Sequence, residues 1–128
     1  MPIIVCTSNI NLTETNLSAL VRRLTAEISH ILEKPADDVM ILWNTGFTFM
    51  GGADASCLFV DIKTFSELNV TICADICRLI VTSIQHVHLI DEAHCYINFH
   101  EVHATAGWRF VGSRPVCPAT ASLENPHG

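Results

Sequence analysis

Pro2 is the residue whose chemistry stands out, because excision of Met1 leaves a secondary amine at the leading end of the chain. Initiator methionine is normally removed when proline follows. Chain-terminal amines have reference pKa values near ~8, and burial beside apolar neighbours or a nearby cation lowers them. Lowered far enough, the amine is neutral at physiological pH and acts as a general base that takes a proton and hands it back. Proline's greater intrinsic basicity asks for a larger perturbation than another terminus would. With Met1 retained, the same nitrogen is an amide and has no such function. The commonplace alternative is a terminus that is merely exposed.

Three further residues are candidates for binding. Lys34 is one of only two lysines, the other being Lys63, so its charge is not lost in a basic background. Its plain role is to compensate the dipole at a helix C-terminus. Tyr96 and Asn98 lie two apart in a strand-like run and so share one face, with Cys95, Ile97 and Phe99 on the other. A phenol and an amide there supply hydrogen-bond donors to a ligand, or else satisfy neighbouring groups at an interface. A metal centre built on His86-x-His88 and His100-x-x-His103 is the weaker reading, since no compact set has zinc-like spacing. His86 and His88 read instead as following a helix end. The six cysteines, at 6, 57, 73, 77, 95 and 117, contain no Cys-x-x-Cys pair and read as reduced, buried thiols. No metal and no organic cofactor is expected.

The elements that must position these residues are written in an internal repeat. Leu17, Leu20, Val21, Leu24, Ile28 and Ile31 follow the three-and-four spacing of one helix face. Shifted by 56 positions, the same face returns as Cys73, Ile76, Cys77, Ile80, Ile84 and Val87. The shift also carries Ile3-Ile4-Val5-Cys6 onto Phe59-Val60-Asp61-Ile62, and the run Val39 to Trp43 onto Cys95 to Phe99. Each half is therefore strand, helix, strand, and a helical crossover makes its two strands parallel. The expected fold is an α/β two-layer domain: duplicated β-α-β units, about residues 2–50 and 57–112, forming a four-stranded mixed sheet with both helices on one face. The helix caps expected are Asn11 with Glu14 for the first and Ser66 for the second, and Lys34-Pro35 is expected to end the first helix. Gly51-Gly52 reads as a tight turn, because no phosphate-loop lysine follows.

That plan leaves one sheet face bare. The run Val39 to Trp43 is apolar at every position and expects cover on both faces, so sheets from several copies are expected to pack together. Pockets then tend to lie at subunit boundaries.

Composition narrows the partners. The chain has 128 residues, 49% hydrophobic and 16% charged, enough for one domain spanning 1–112 with an irregular tail over 113–128. Mean hydropathy is high at +0.36, yet no long uncharged apolar run could cross a membrane. A formal charge of -6 argues against nucleic acid and anionic membranes. The N-terminus has no signal-like stretch, so a cytoplasmic location is expected, any secretion being independent of a signal peptide. Sequons at Asn11, Asn16 and Asn69 are read as accidental.

Met1-Pro2 at the head of a strand, Lys34-Pro35, Phe49-Met50-Gly51-Gly52, Cys57, Tyr96-Ile97-Asn98-Phe99 and Gly107-Trp108, in this order and spacing, resemble the macrophage migration inhibitory factor and D-dopachrome tautomerase family of the tautomerase superfamily. The resemblance runs from residue 1 to about 112. It implies a homotrimer and a keto-enol tautomerase of the phenylpyruvate or dopachrome type, with Pro2 as catalytic base and a cytokine-like role through a protein receptor. Ile3 matches the pocket residue beside the proline, and Lys34 the lysine that binds the carboxylate of a small aromatic keto acid. Thr64 and Phe65 match a serine and an isoleucine of the pocket. Tyr96 and Asn98 match residues supplied by a neighbouring subunit, and Ala106 and Trp108 the apolar wall. Departures from the family pattern are Phe65, the anionic Asp38 where a rim aromatic is frequent, and the sequence from Arg109 onward. They motivate the alternative of a catalytically weak signalling homologue. The family's Cys-x-x-Cys is absent, so thiol oxidoreductase activity is not carried over.

Overall fold

Two helices form where the apolar spacing predicts them. In the computed structural model, which describes residues 2–103 and Val111, the chain runs β1 (Ile3–Ser8), α1 (Glu14–Leu32), β2 (Met40–Thr45), β3 (Leu58–Thr64), α2 (Val70–Gln85) and β4 (Cys95–Glu101). One-turn 3₁₀ segments at Ala36–Asp38 and Glu92–His94 lead into β2 and β4. The offset of 56 holds for both helix starts, 14 and 70, and for the 3₁₀ turns, 36–38 and 92–94. The residues 104–110 and 112–128, which include Ala106, Trp108, Cys117 and the tail, lie outside the described residues, as does Met1.

The strand order is β2-β1-β3-β4, with β1 parallel to β2, β3 parallel to β4, and β1 antiparallel to β3. This is the expected mixed sheet with both helices on one face. Burial alternates along β1, so Ile4, Cys6 and Ser8 point to the helices, and Val60 and Ile62 join them from β3. Leu20, Leu24, Ile28 and Leu32 of α1 close over them with Ile76, Ile80 and Ile84 of α2. Burying each such side chain stabilises the fold by about 1.5–3 kcal/mol.

Local details depart from the sequence expectations in three places. The cap of α1 is Thr13, whose Oγ1 accepts the Asn16 N–H at 3.1 Å, because Asn11 lies two residues too far out. The cap of α2 is Asn69, whose Oδ1 accepts the Ile72 N–H at 2.8 Å, while Ser66 is held by the Thr64 hydroxyl instead. Thr13 and Asn69 each belong to one of the three sequons. Helix α1 stops at Leu32, before Lys34-Pro35, because Glu33 turns left-handed at φ 55. The Glu33 N–H then donates to the His30 carbonyl at 3.3 Å and the Lys34 N–H to the Ser29 carbonyl at 3.0 Å, the paired bonds of a Schellman ending. The apolar run at Val39 to Trp43 supplies an edge strand. Its outward residues Met40 and Leu42 remain 57% and 40% exposed. Being apolar on both faces marks a strand covered twice, but says nothing of its place in the sheet order.

The link between the halves is stapled. Asn9 donates from Nδ2 to the Thr48 and Ala55 carbonyls and accepts the Cys57 N–H. Within that link Met50 and Ala53 pair across Gly51 and Gly52, both with positive φ, as a tight two-residue hairpin requires. The Gly-Gly turn is as expected.

Two outcomes follow. Glu33→Gly is expected to raise unfolding free energy by about 0.5–1 kcal/mol, since glycine adopts φ 55 without the steric cost of a Cβ; denaturant titration checks this. Burial pushes the Cys6 thiol up to about 12. The folded chain therefore keeps a proton that the unfolded chain releases near ~8.5, and stability falls as pH rises through that window, by up to about 1.4 kcal/mol per unit. Cys6→Val should flatten that decline, read as the shift of denaturation midpoint between pH ~8 and ~10.

Candidate functional site

Pro2 is fully buried and stands on the helix side of the sheet, in phase with Ile4 and Cys6. Its carbonyl accepts the Met40 N–H at 3.1 Å, which extends the β1–β2 ladder by one rung and fixes the start of the chain. Because Ile3 pairs with Lys63 in the antiparallel register, Pro2 stands at the strand end occupied by Thr64. Thr64 is fully buried. Its hydroxyl donates to Ser66 Oγ and accepts the Ser66 N–H, both at 3.0 Å, and its carbonyl accepts the Val102 N–H at 2.8 Å. This leaves the Thr64 side chain spent on its own turn. Phe65 follows, half-buried. Ile3 points to the opposite face, between Met40 and Lys63. Pro2, Ile3, Thr64 and Phe65 are thus gathered at one end of the sheet.

Lys34 enters that end along the chain, six residues before Met40. The Ser29 hydroxyl donates to its carbonyl at 2.7 Å, which fixes the backbone after the Schellman turn. Lys34 is half-buried and lines a cleft of about 560 Å³ between the end of α1 and the start of α2, with His30, Glu33, Ile72 and Asp75. Pro2, Ile3 and Thr64 are not among the described residues lining it. Asp38 is half-buried in the 3₁₀ turn between Lys34 and β2.

Tyr96 and Asn98 are not brought to Pro2 within the chain. Both project from β4 onto the bare sheet face, with Tyr96 65% exposed. Tyr96 pairs across Phe59 to Thr7, and Asn98 across Asp61 to Val5. Tyr96 is therefore about 16 Å along the strands from the level of Pro2, at ~3.3 Å per residue, and on the other face. Ala106 and Trp108 lie outside the described residues.

The bare face carries a polar group that sequence reasoning missed. Lys63 Nζ sits 2.6 Å from Asp61 Oδ2, and Asn98 Nδ2 donates to Asp61 Oδ1 at 2.8 Å. The Lys63 ammonium first, and the Asn98 amide second, hold the Asp61 carboxyl below the usual range. The signal in the sequence was the carboxylate of Asp61 inside the apolar run Leu58 to Ile62, but its partner on β4 depends on register.

Elsewhere, a groove of about 620 Å³ between α2 and β4 is lined by Cys77, Arg78, Val81, Cys95 and Ile97 and holds none of the expected site residues. Cys6 and Cys57 are buried, but Cys73, Cys77 and Cys95 are only half-buried, and burial still pushes these three thiols up. His86 caps the end of α2, as read from sequence, and His88 Nε2 lies 3.0 Å from Ser56 Oγ. Among the described residues no three histidine, cysteine or carboxylate side chains converge as a metal-ligand group, and no helix is long and apolar enough to cross a membrane.

Comparison with known proteins gives a consistent answer. The sequence profile described as "Macrophage migration inhibitory factor (MIF)" matches residues 1–113. No curated protein sequence matches the chain significantly. Among solved structures, the macrophage migration inhibitory factor-like protein of Entamoeba histolytica superposes with a TM-score of 0.79 at 20% identity, covering 88% of this chain and 96% of that one. The macrophage migration inhibitory factor of Oncomelania hupensis gives 0.77 at 21% identity, covering 99% of each. The structure of Pt0534 inactivated by 2-oxo-3-pentynoate gives 0.76 at 10% identity, covering 89% of this chain and 95% of that one. At such identities the likeness of structures concerns the fold: two helices packed on a four-stranded mixed sheet. Because the family profile spans nearly the whole described structure, the chain belongs to the macrophage migration inhibitory factor family.

Proposed function

We propose that this chain is a keto-enol tautomerase of the phenylpyruvate or dopachrome type, acting on a small aromatic keto-acid-like substrate, with Pro2 as general base and a cytokine-like signalling role. The observation that carries the reading is the burial of Pro2 at the head of β1. Loss of Met1 would free a secondary amine at this buried position, where desolvation favours the neutral form. Inactivation of the similarly folded Pt0534 by a 2-oxo acid supports the substrate class.

In this reading Pro2 nitrogen takes the proton from the carbon next to the keto group, and the electron pair of that C–H bond moves to give an enolate. The resulting prolinium returns the proton to the enolate oxygen, which completes the enol with no net gain or loss. Lys34 pairs with the substrate carboxylate and, as a nearby cation, further favours neutral Pro2. Ile3, Phe65, Ala106 and Trp108 form the apolar wall, and Thr64 offers backbone groups, consistent with its hydroxyl being engaged by Ser66. Tyr96 and Asn98 come from a neighbouring copy in a homotrimer built on the bare sheet face.

The second reading is a signalling homologue with weak catalysis, bound by a protein receptor. It is favoured by Asp38 and by the carboxylates of Glu33 and Asp75 around Lys34, which oppose an anionic substrate.

Pro2→Ala, and separately a form that retains Met1, are expected to lose about a hundredfold or more of kcat/KM on phenylpyruvate, the usual contribution of a general base. Turnover equal to the native protein in either variant contradicts the role of Pro2. Lys34→Ala is expected to raise KM by about tenfold or more, the strength of a charge-assisted hydrogen bond, with kcat changed less. Steady-state kinetics on the assembled protein reads both.

A further inference from the structure

The cross-strand row of the bare face nearest Pro2 reads Met40, Ile3, Lys63, His100. Lys63 and His100 are therefore direct neighbours on parallel strands ~4.8 Å apart, with both side chains on the uncovered side. Among the described residues, the titratable groups that the strands carry on that face are Asp61, Lys63, Tyr96 and His100. The hydrogen bonds of the face leave His100 out. Asp61 gives Oδ2 to the Lys63 ammonium at 2.6 Å and Oδ1 to the Asn98 amide at 2.8 Å, so both of its oxygens are engaged. Glu101, next along β4, turns to the covered side, where one oxygen accepts the Leu68 N–H and the other meets His103 at 3.4 Å. Among the described residues no carboxylate comes within ion-pair distance of the His100 ring.

The charge of the face is thus set by one imidazole. With His100 neutral, Asp61 and Lys63 cancel. With His100 protonated, the face gains one net positive charge directly opposite an existing ammonium, and like charges so placed repel. In a single chain water solvates that charge, because His100 is exposed. Against a second copy the solvation is lost, and a buried charge without a partner is strongly penalised. Met40, Leu42, Phe59 and Tyr96, all exposed on this same face, supply the apolar surface that favours a second copy as its cover.

We infer that His100 makes assembly acid-sensitive: copies pack on the bare face while its ring is neutral and part when it takes a proton, which dismantles any site shared between them. The inference rests on the homotrimer of the proposed reading. Histidine is the side chain whose charge ordinarily changes between pH ~5 and ~8. Each copy sheds a proton on joining, so a fall in pH favours the separate chains. With the proton wholly excluded from three copies, the assembly constant falls by up to about a thousandfold per pH unit. Asp61 does not supply this response. The Lys63 ammonium first, and the Asn98 amide second, hold its carboxyl below the usual range, so it stays ionised throughout that window.

The test is analytical ultracentrifugation of the full chain at pH ~7.5 and ~5, at equal ionic strength, with His100→Gln beside the native protein. The native protein is expected to be trimeric at the higher pH and to dissociate at the lower, its assembly constant reduced about a hundredfold or more. His100→Gln, which cannot take the proton, is expected to be trimeric at both. The other histidines, His86, His88 and His103 among them, remain in the variant, so the difference isolates residue 100. His100→Leu gives the same reading should glutamine disturb the packing. A native trimer that persists at pH ~5 overturns the inference, as does a variant that dissociates alongside the native protein, or the failure of both variants to assemble at pH ~7.5. A native protein already in single chains at pH ~7.5 overturns the proposed trimer and the inference with it, which tells the two failures apart.

Discussion

Two helices can cover only one side of a four-stranded sheet, and every functional expectation for this chain turns on that limit. Side chains alternate along each strand, so the antiparallel pairing of β1 with β3 sends Ile4, Cys6, Val60 and Ile62 into the core and Val5, Phe59, Asp61 and Lys63 out to the bare face. Pro2 falls on the covered side. Tyr96 and Asn98 fall on the other, Asn98 level with the middle of β1 and Tyr96 toward its far end. No rotamer change within one chain brings them together, so a site that uses all three has to be built from more than one copy. Met40 and Leu42, exposed at the β2 edge, and Phe59 between the strands give such a copy an apolar surface to bury.

Within the covered half the site end is held mainly by backbone bonds. The Met40 N–H fixes Pro2, the Val102 N–H fixes Thr64, and the Schellman turn at Glu33 sets the path of Lys34. These bonds leave the chemistry-bearing groups at the ends of regular elements, where their positions follow from register instead of from loop conformation. The electrostatics around Lys34 pull in two directions. It brings the positive charge that a carboxylate substrate needs, yet Glu33 and Asp75 share its cleft. That balance separates an efficient enzyme from a weakly catalytic signalling protein on the same fold.

The fold was legible because its information is periodic. Leu20, Leu24 and Ile28 recur as Ile76, Ile80 and Ile84, and the same offset relates Thr13 to Asn69 and the 3₁₀ turns before β2 and β4. What could not be read was non-periodic. The caps were displaced by two or three residues because several polar side chains precede each helix, and only the chain path decides which oxygen reaches the first free N–H. A left-handed Glu33 has no composition signal, since glycine is the usual residue there. The edge position of β2 is a matter of strand order, to which apolarity is blind. The site was half legible: Pro2, Ile3, Thr64 and Phe65 share one end of the sheet, as a pocket would need, while the Asp61–Asn98 bond joins residues whose adjacency exists only once β3 and β4 are in register. Ala106 and Trp108 fall outside the described residues and contribute nothing to this comparison.

The shared site is the claim on which the functional account stands, and subunit complementation measures it directly. One chain carries Pro2→Ala and the other carries Tyr96→Ala with Asn98→Ala, and phenylpyruvate turnover is followed after the two are unfolded and reassembled together. A mixed assembly contains sites with Pro2 from one chain and Tyr96 with Asn98 from the other, so activity well above the sum of the separately reassembled variants is the predicted result. A mixture no more active than that sum, at a mass that shows mixed assembly, contradicts the account.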